Sequence, residues 1–189
     1  VMPDVQVRID PENSEILVKG KTVMSGYYNK PAENEKAFTE DGYFRTGDAG
    51  RMEGNTLFFT ERIKDLYKTS NGKYIAPQAI EMVMSGDQYI EQIAVIGDQR
   101  KFVSALIVPA YSLLEKYAEE KGLAVGSREE LVRNKEVLRL IETHIEENQK
   151  NLASYEKIKR FTLLSEPFTM GSELTDTLKL RRSVILKKY

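Results

Sequence analysis

The chain has 189 residues, a hydrophobic fraction of 41%, a charged fraction of 30% and a formal net charge of −1, as in an ordinary globular protein of one or two domains. It contains no Cys and one His, so the composition excludes disulfide frameworks, thiolate nucleophiles, iron–sulfur clusters, Cys-ligated zinc and multi-His metal sites. No apolar run approaches the ~20 residues of a membrane helix and no signal-peptide pattern opens the chain, so a cytoplasmic location is expected.

Residues 1–61 predict a small β-rich subdomain. Apolar and polar residues alternate over 5–9 and again over 16–18, with turn-forming residues between the two runs. A short helix is expected over 31–38, because Pro suits the first helical position. Further strands are expected near 43–45 and over 56–60. Short strands with frequent turns indicate a small antiparallel sheet or barrel.

Residues 62–189 predict an α+β domain, with the boundary near 61–64. The sequence Ser70-Asn71-Gly72 indicates a hairpin turn, and Pro77 begins an amphipathic helix. The further elements are expected strands over 90–97, 102–109 and 158–164, a helical insertion at about 111–151 and a terminal helix over 180–188.

Charge is distributed unevenly between these two parts. Residues 1–61 carry 7 Lys and Arg against 11 Asp and Glu, whereas residues 62–189 carry 21 against 18. The last eleven residues hold five cations and no acid. This excess of positive charge is too small for a nucleic-acid-binding surface, so no nucleic-acid partner is expected. The local positive charge at the end of the chain does suit a phosphate-bearing ligand.

Asp48, Arg62 and Lys64 are candidate ligand contacts that also have purely structural explanations. Asp48 follows a Thr-Gly turn and can accept two hydrogen bonds from a vicinal diol such as ribose, or it caps that turn. Arg62 and Lys64 are expected to point to opposite faces of a strand. They are either ligand contacts in a linker or part of a solvated charge run.

Three further positions carry similar alternatives. The Ser70-Asn71-Gly72 turn lets backbone approach a ligand closely, or it only joins two strands. Lys179 enters a basic terminal helix and is either a mobile point charge for phosphate or a solubilising cation. His144 borders an apolar helical stripe and has no recognisable orienting partner, so a structural role is expected.

Three runs, in this order, carry a family resemblance: "EILVKGKTVMSGYYNKPAENEKAFTEDGYFRTGD", "ERIKDLYKTSNGKYIAPQAIE" and "LTDTLKLRR". Together they resemble the C-terminal third of the acyl-adenylate-forming (AMP-binding) enzymes, and within them the long-chain fatty acid–CoA ligases. The resemblance covers nearly the whole chain. The phrase "TSNGKYIAPQAIE" and the helical insertion favour this branch over the peptide-synthetase and luciferase branches.

The resemblance implies an ATP-dependent, AMP-forming ligase that adenylates a carboxylate, releases pyrophosphate, rotates its mobile C-terminal domain and transfers the acyl group to coenzyme A. It implies that Asp48 binds the ribose hydroxyls of ATP or AMP and that Arg62 also reaches the nucleotide. Lys64 is the implied hinge, and the turn at 70–72 lines the pantetheine path of CoA. Lys179 is the implied catalytic lysine, because its ammonium offsets the repulsion between carboxylate and α-phosphate.

Three positions depart from the family pattern: Glu61 and Ser14 stand where Gly is usual, and Asp176 stands where Pro is usual. The resemblance implies that the chain is a piece of a longer protein whose missing N-terminal domain is its partner. That domain would hold the phosphate loop, the fatty acid tunnel and the adenine pocket. Mg²⁺ is expected in the parent enzyme, with no ligands in this fragment, which should be inactive alone. Peripheral membrane association is possible for such a parent.

Two alternatives remain open on the sequence. In the first, the parent enzyme is an adenylation domain that loads the phosphopantetheine of a carrier protein instead of CoA. Alternatively, the chain is a non-catalytic binding module that kept the fold and lost the chemistry.

Overall fold

The computed structural model describes residues 4–124 and 126–189. The chain divides into two units, of which the first ends at Leu66 and the second begins at Tyr67. The first unit ends two residues beyond the boundary expected near 61–64. It does so because its last strand continues to Arg62 and a 3₁₀ turn, Ile63–Asp65, follows directly.

The first unit is an antiparallel sheet of four strands in chain order, which confirms the small antiparallel sheet expected from the alternation. Its elements are β1 (Val5–Ile9), β2 (Glu15–Gly20), α1 (Pro31–Ala37), β3 (Phe44–Glu53) and β4 (Thr56–Arg62). Ile16, Leu17 and Ala49 are buried in it.

Strand β3 is much longer than the strand expected near 43–45. The sequence Thr46-Gly47-Asp48 is a bulge inside the strand and not a turn that ends it, since Leu17 pairs with Arg45 and Glu15 pairs with Ala49 on either side. Gly47 has a φ of 74°, a left-handed conformation that glycine adopts readily. A bulge of this kind lets the strand continue beyond a motif that looks like a turn in the sequence.

The second unit has a three-stranded sheet with the order β7-β8-β9 and a separate two-stranded hairpin, β5-β6. The strands are β5 (Tyr67–Lys68), β6 (Tyr74–Ile75), β7 (Ile90–Ile96), β8 (Val103–Pro109) and β9 (Ile158–Leu163). The helices are α2 (Pro77–Met84), α3 (Tyr111–Glu120), α4 (Arg128–Leu131), α5 (Lys135–Asn148) and α6 (Arg182–Lys188).

The helical stretch expected at 111–151 is the crossover between β8 and β9. These two strands run parallel, and parallel neighbours require a long connection that returns the chain to the same edge. Helices α3, α4 and α5 form that connection, and Ser127 caps α4 by accepting a hydrogen bond from Glu130 N at 3.3 Å. The three helices therefore lie within the expected helical stretch, and their topological role comes from the parallel pairing.

One hydrophobic core holds the second unit together. It brings the inner faces of α2, α3 and α5 onto the three-stranded sheet, and α6 joins it through Ile185. The members with at most 1% exposed surface are Ile75, Ile80, Met84, Val95, Val103, Ile107, Val108, Leu114, Leu131, Val137 and Ile141. Each such side chain contributes ~1.5–3 kcal/mol on burial, so this core fixes the loops described below.

Candidate active site

The bulge at Thr46–Asp48 is held by the buried carboxylate of Glu15. Glu15 is 5% exposed and accepts hydrogen bonds from Arg45 Nη1 and from Gly47 N, each at 3.0 Å. The Thr46 hydroxyl donates to Ile16 O at 2.7 Å and accepts from Asp48 N at 3.2 Å. The Thr46 side chain therefore makes the local turn contact, and the Asp48 carboxylate is left for another partner.

Asp48 and Arg62 are brought together by this arrangement. They are paired residues on β3 and β4, and Asp48 Oδ1 lies 3.5 Å from Arg62 Nε. The side chains are 33% and 63% exposed, respectively. A partly exposed carboxylate with free lone pairs can accept two hydrogen bonds from a diol, while the adjacent guanidinium supplies positive charge for a phosphate.

Lys64 lies in the 3₁₀ turn after β4 and not in the strand. The expectation that Arg62 and Lys64 occupy opposite faces of one strand is therefore wrong. The strand ends at Arg62, and residues two apart in a strand would lie on the same face. Extended residues flank the turn, with Arg62 at φ −74°, ψ 139° and Leu66 at φ −67°, ψ 141°. Glu61 precedes the turn, is 2% exposed and pairs with Ala49 inside β4.

The Ser70-Asn71-Gly72 segment is the tip of the β5-β6 hairpin, as its turn chemistry predicted. Thr69 closes the loop: its N donates to Lys73 O at 2.9 Å, and its hydroxyl bonds both Lys73 O and Lys73 N at 3.1 Å. Gly72 has a φ of 76° and no atom within 4 Å of the position a Cβ would take. The tip is therefore exposed, while the Thr69–Lys73 hydrogen bonds close the loop at its base.

Lys179 lies in a short loop before α6 and not in the terminal helix itself. Thr175 and Lys179 close this lysine loop, with Thr175 N donating to Lys179 O at 2.9 Å and Lys179 N donating to Thr175 Oγ1 at 3.0 Å. Leu178 adopts a left-handed φ of 60°, a strained conformation for a Leu residue. The Lys179 side chain is exposed.

Asp176, the residue where the family usually has Pro, is also exposed in this loop. Within residues 126–189 no ion pair joins its carboxylate to the Lys179 ammonium. The acid therefore leaves Lys179 available for an incoming anion.

Glu173 anchors the N-terminal side of the lysine loop. Its carboxylate is buried and accepts hydrogen bonds from Lys188 Nζ and from Thr169 N, the latter at 3.2 Å. The hydrogen bond from Lys188 is the main cause that lowers the pKa of Glu173 to about 2. Arg181 adds two contacts, from Nη1 to Gly171 O at 2.9 Å and to Ser172 O at 3.1 Å.

Arg182 anchors the C-terminal side of the same loop. It forms a bidentate ion pair with Glu81 of α2, and Glu81 Oε1 also accepts from Val95 N at 2.8 Å. The guanidinium lies 5.6 Å from the centre of the Tyr67 ring. Burial by itself would lower the pKa of Arg182, but the hydrogen bonds and charge of Glu81 raise it above its ordinary value.

His144 has a partner that the sequence did not reveal. Its Nδ1 lies 2.8 Å from Asp87 Oδ2, and Asn148 Nδ2 donates to the same oxygen at 2.8 Å. Burial by itself would raise the pKa of Asp87, but hydrogen bonds from Tyr89 N, His144 and Asn148 lower it. The Asp87 carboxylate ties α5 to the loop before β7, so the cluster has a structural role.

Within residues 4–124 and 126–189, no group of three or more His, Cys, Asp or Glu side chains is arranged to hold a metal ion. In the same residues, no helix combines the length and apolar character needed to cross a membrane.

Comparison with known proteins identifies sequence relatives. The family model of the AMP-binding enzyme C-terminal domain matches residues 64–189. Long-chain-fatty-acid–CoA ligase 5 of Mus musculus is 35% identical over 180 residues, which are 93% of this chain and 26% of the relative. Long-chain-fatty-acid–CoA ligase FadD15 of Mycobacterium tuberculosis is 31% identical over 191 residues, covering 100% of this chain and 32% of the relative. The chain thus spans a quarter to a third of these curated relatives.

Solved structures share the fold. The adenylation domain of a carboxylate reductase from Mycobacterium chelonae has a TM-score of 0.66 and 27% identity, covering 98% of this chain and 29% of that one. The A domain of the carboxylic acid reductase from Segniliparus rugosus, solved with AMP and a co-purified carboxylic acid, has a TM-score of 0.67 and 24% identity, covering 98% of this chain and 30% of that one.

Proposed function

The chain belongs to the family of AMP-binding enzyme C-terminal domains, and on that premise we propose that it is the C-terminal portion of an ATP-dependent, AMP-forming long-chain fatty acid–CoA ligase. In the first step a carboxylate oxygen attacks the α-phosphorus of ATP, the α–β phosphoanhydride bond breaks and pyrophosphate leaves. In the second step the sulfur of CoA attacks the acyl carbon and AMP leaves. The chain length of the acyl substrate is a property of the remaining part of the enzyme.

The paired side chains of Asp48 and Arg62 carry this proposal. Their position on adjacent strands next to the bulge gives a carboxylate and a guanidinium 3.5 Å apart, both open to a ligand. ATP and AMP fit this donor set, because a ribose presents two hydroxyl donors to the carboxylate and the phosphate anion favours the cation. We assign ribose binding to Asp48 and nucleotide contact to Arg62.

Lys179 is the proposed catalytic residue. Attack of a carboxylate on ATP brings two anions together, and an ammonium between them stabilises the charge that develops in the transition state. The exposed side chain on a loop anchored at both ends is suited to that task. A fixed lysine at this place would hinder the second step, so a lysine carried by a mobile domain suits a two-step enzyme.

The hinge and the thiol path complete the proposed assignment. Lys64, in the short 3₁₀ turn near the end of the first unit, is the proposed hinge residue. The exposed hairpin tip at Ser70, Asn71 and Gly72 is the proposed wall of the pantetheine path, because Gly72 leaves room for a close approach. Mg²⁺ would accompany the ATP phosphates with ligands from the rest of the enzyme.

A carrier protein is the second candidate for the acyl acceptor. One structural neighbour, at 25% identity and a TM-score of 0.55, is an A-PCP didomain of a carboxylic acid reductase. The sequence relatives at 31–35% identity are named CoA ligases and favour CoA. Turnover of the full-length enzyme with CoA, compared with turnover on a phosphopantetheinylated carrier protein, distinguishes the two acceptors.

The test of the proposed function uses full-length protein that contains this chain. Pyrophosphate release is measured with ATP and a long-chain fatty acid, and thioester formation is measured after CoA is added. Asp48→Asn should raise KM for ATP by about 10-fold, since it removes one charged acceptor of the ribose hydroxyls. Glu53→Gln is the matched control, because Glu53 pairs with Arg51 at 2.9 Å on the same strand, away from the bulge.

Two results would contradict the proposal. Absence of pyrophosphate release with any fatty acid would exclude the ligase activity. Equal effects of Asp48→Asn and Glu53→Gln on KM for ATP would remove Asp48 from the nucleotide site.

A further inference from the structure

Three segments of the chain fold into the same five-residue loop: residues 39–43, 69–73 and 175–179, the last of which is the lysine loop. Each loop begins with Thr. Its first N donates to the fifth O at 2.8–2.9 Å, its fourth N donates to the first O at 2.9 Å, and its fifth N donates to the Thr hydroxyl at 2.9–3.1 Å. The backbone and the Thr side chain therefore close all three loops in the same way.

The fourth residue of each loop has a left-handed conformation. The φ values are 81° at Gly42, 76° at Gly72 and 60° at Leu178. Gly reaches this region without a steric penalty because it has no Cβ, whereas the Cβ of Leu is crowded there. The loop geometry therefore requires a left-handed residue, and the two glycine loops show that it does not require a side chain at this position.

The Leu178 side chain gains no burial inside the second unit that would offset this strain. It is 65% exposed, and the hydrophobic core formed by the described residues from 67 onward contains Leu174 and has Leu180 packed against it, but does not include Leu178. A single exposed Leu is common on protein surfaces. A Leu that is both exposed and strained is unusual, and backbone strain of this kind is concentrated at functional sites. Leu178 directly precedes Lys179, so the strain lies beside the proposed catalytic group.

We propose that Leu178 is a positioning residue for Lys179 in the adenylation step. This inference rests on the proposed function. When the lysine loop reaches the bound ATP and fatty acid, the Leu178 side chain packs against an apolar surface of the N-terminal domain and holds the Lys179 ammonium between the carboxylate and the α-phosphate. Burial of the side chain then offsets the strain of its backbone.

The proposed contact is with protein and not with the substrates. Lys has a longer side chain than Leu, so the Lys179 ammonium can reach the reacting groups while the adjacent Leu178 side chain ends short of them. Leu178 therefore meets the protein that surrounds the substrates. Because this contact forms only while Lys179 is engaged, it should affect the rate of adenylation and not the affinity for ATP.

The experiment compares four variants in full-length protein. Leu178→Gly gives the lysine loop the residue that the other two loops have, and Leu178→Asn supplies a polar residue that tolerates the left-handed region. Leu178→Met keeps an apolar side chain of similar volume. Gln99→Gly is the matched control, because Gln99 has a left-handed φ of 56° in another loop of the same unit, where its N donates to Lys68 O at 2.9 Å.

Leu178→Gly and Gln99→Gly should not lower the urea unfolding midpoint, because relief of backbone strain offsets the greater freedom of Gly in the unfolded chain. Leu178→Gly and Leu178→Asn should lower kcat for pyrophosphate release by about 10- to 100-fold, the equivalent of one buried Leu side chain, and leave KM for ATP close to the parent value. Leu178→Met and Gln99→Gly should release pyrophosphate at close to the parent rate. All four variants should convert supplied acyl-adenylate and CoA to thioester as the parent does.

Parent-like pyrophosphate release by Leu178→Gly would overturn the proposal, and so would an equal loss of both steps. A loss that grows with the length of the fatty acid would also overturn it, because it would place Leu178 against the acyl chain and not against protein.

Thiol labelling gives a second readout that does not depend on turnover. The 189 residues contain no Cys, so Leu178→Cys places one thiol in this chain, and its maleimide adduct can be located by peptide mass. Labelling should slow when ATP and a long-chain fatty acid are added, and an unchanged rate would contradict the proposed contact. Slower labelling in a protein that releases no pyrophosphate would support the contact and contradict the ligase activity, so the two failures are distinguishable.

Discussion

Arg182 and Glu81 form a bidentate ion pair across 101 residues of sequence, with Nη1–Oε1 at 2.7 Å and Nη2–Oε2 at 2.8 Å. The two side chains are 20% and 13% exposed, so the pair is largely shielded from water. Tyr67, the first residue of the second unit, lies beside the same guanidinium and donates from its hydroxyl to Val95 O at 3.3 Å. The start of the unit, the sheet and the end of the lysine loop therefore meet at one ion pair.

Arg182→Gln should destabilise the second unit by about 3–5 kcal/mol, because it leaves the charge of Glu81 buried with a neutral partner. The measurement is the shift of the urea unfolding midpoint. Arg128→Gln is the matched control, since Arg128 faces Glu115 at 3.7 Å with both side chains about half exposed. That variant should lose less than about 1 kcal/mol. Equal losses would show that shielding from water does not strengthen the Glu81 pair.

Glu173→Gln should make the second unit less stable at pH 7, by roughly 1–3 kcal/mol, because the charged carboxylate accepts hydrogen bonds from Lys188 and Thr169. The folded-state pKa of about 2 is below the ordinary 4.5, so this stability is complete above pH 4.5 and is lost as pH falls toward 2. The difference between parent and variant should shrink across that window in unfolding curves. Glu147→Gln, at an exposed position of α5, should show no such dependence.

Lys179→Ala in the full-length enzyme should slow acyl-adenylate formation by ~10²-fold or more, because it removes a transition-state contact. The same variant should convert supplied acyl-adenylate and CoA to thioester at close to the parent rate. Pyrophosphate release reports the first step and thioester yield reports the second. A parallel loss of both steps would contradict the proposed role.

Lys64→Pro should have the opposite effect. Proline fixes φ near −65° and removes the backbone N–H, so it penalises rotation about the proposed hinge at residue 64. Adenylation should survive and thioester formation should fall. Thermal melting of the variant must first exclude a general loss of stability, and Lys64→Ala serves as the control that removes the side chain but keeps the backbone free.

Gly50→Ala should damage the nucleotide side of the site through the backbone. A Cβ at this position would lie 2.5 Å from Phe58 O and 2.7 Å from Ile16 Cδ1, so β3 must shift next to Asp48. The expected loss is about 1–3 kcal/mol in stability, together with a higher KM for ATP. Gly54→Ala is the comparison: it meets no atom within 4 Å but has a φ of 58°, so it should cost stability without changing KM.

Much of the local structure follows from the sequence alone. The alternation of apolar and polar residues predicts β1 and β2, and the helical spacing of apolar residues predicts α5. Pro31 and Pro77 mark the first residues of α1 and α2. These elements are predictable because each depends on neighbours a few residues away. The family resemblance and the candidate residues likewise come from ordered motifs in the chain.

The tertiary structure decided how these elements are used. Thr46-Gly47-Asp48 looks like a turn in the sequence and is a bulge within β3, because Glu15 on the neighbouring strand bonds Gly47 N. Asp48 meets Arg62 only because β3 and β4 pair in that register. The partner of His144 is 57 residues away in the sequence, so local pattern could not identify Asp87. Local sequence determines which conformation a segment prefers. Contacts between distant residues determine which side chains share a site, and these contacts form only when the chain closes long loops.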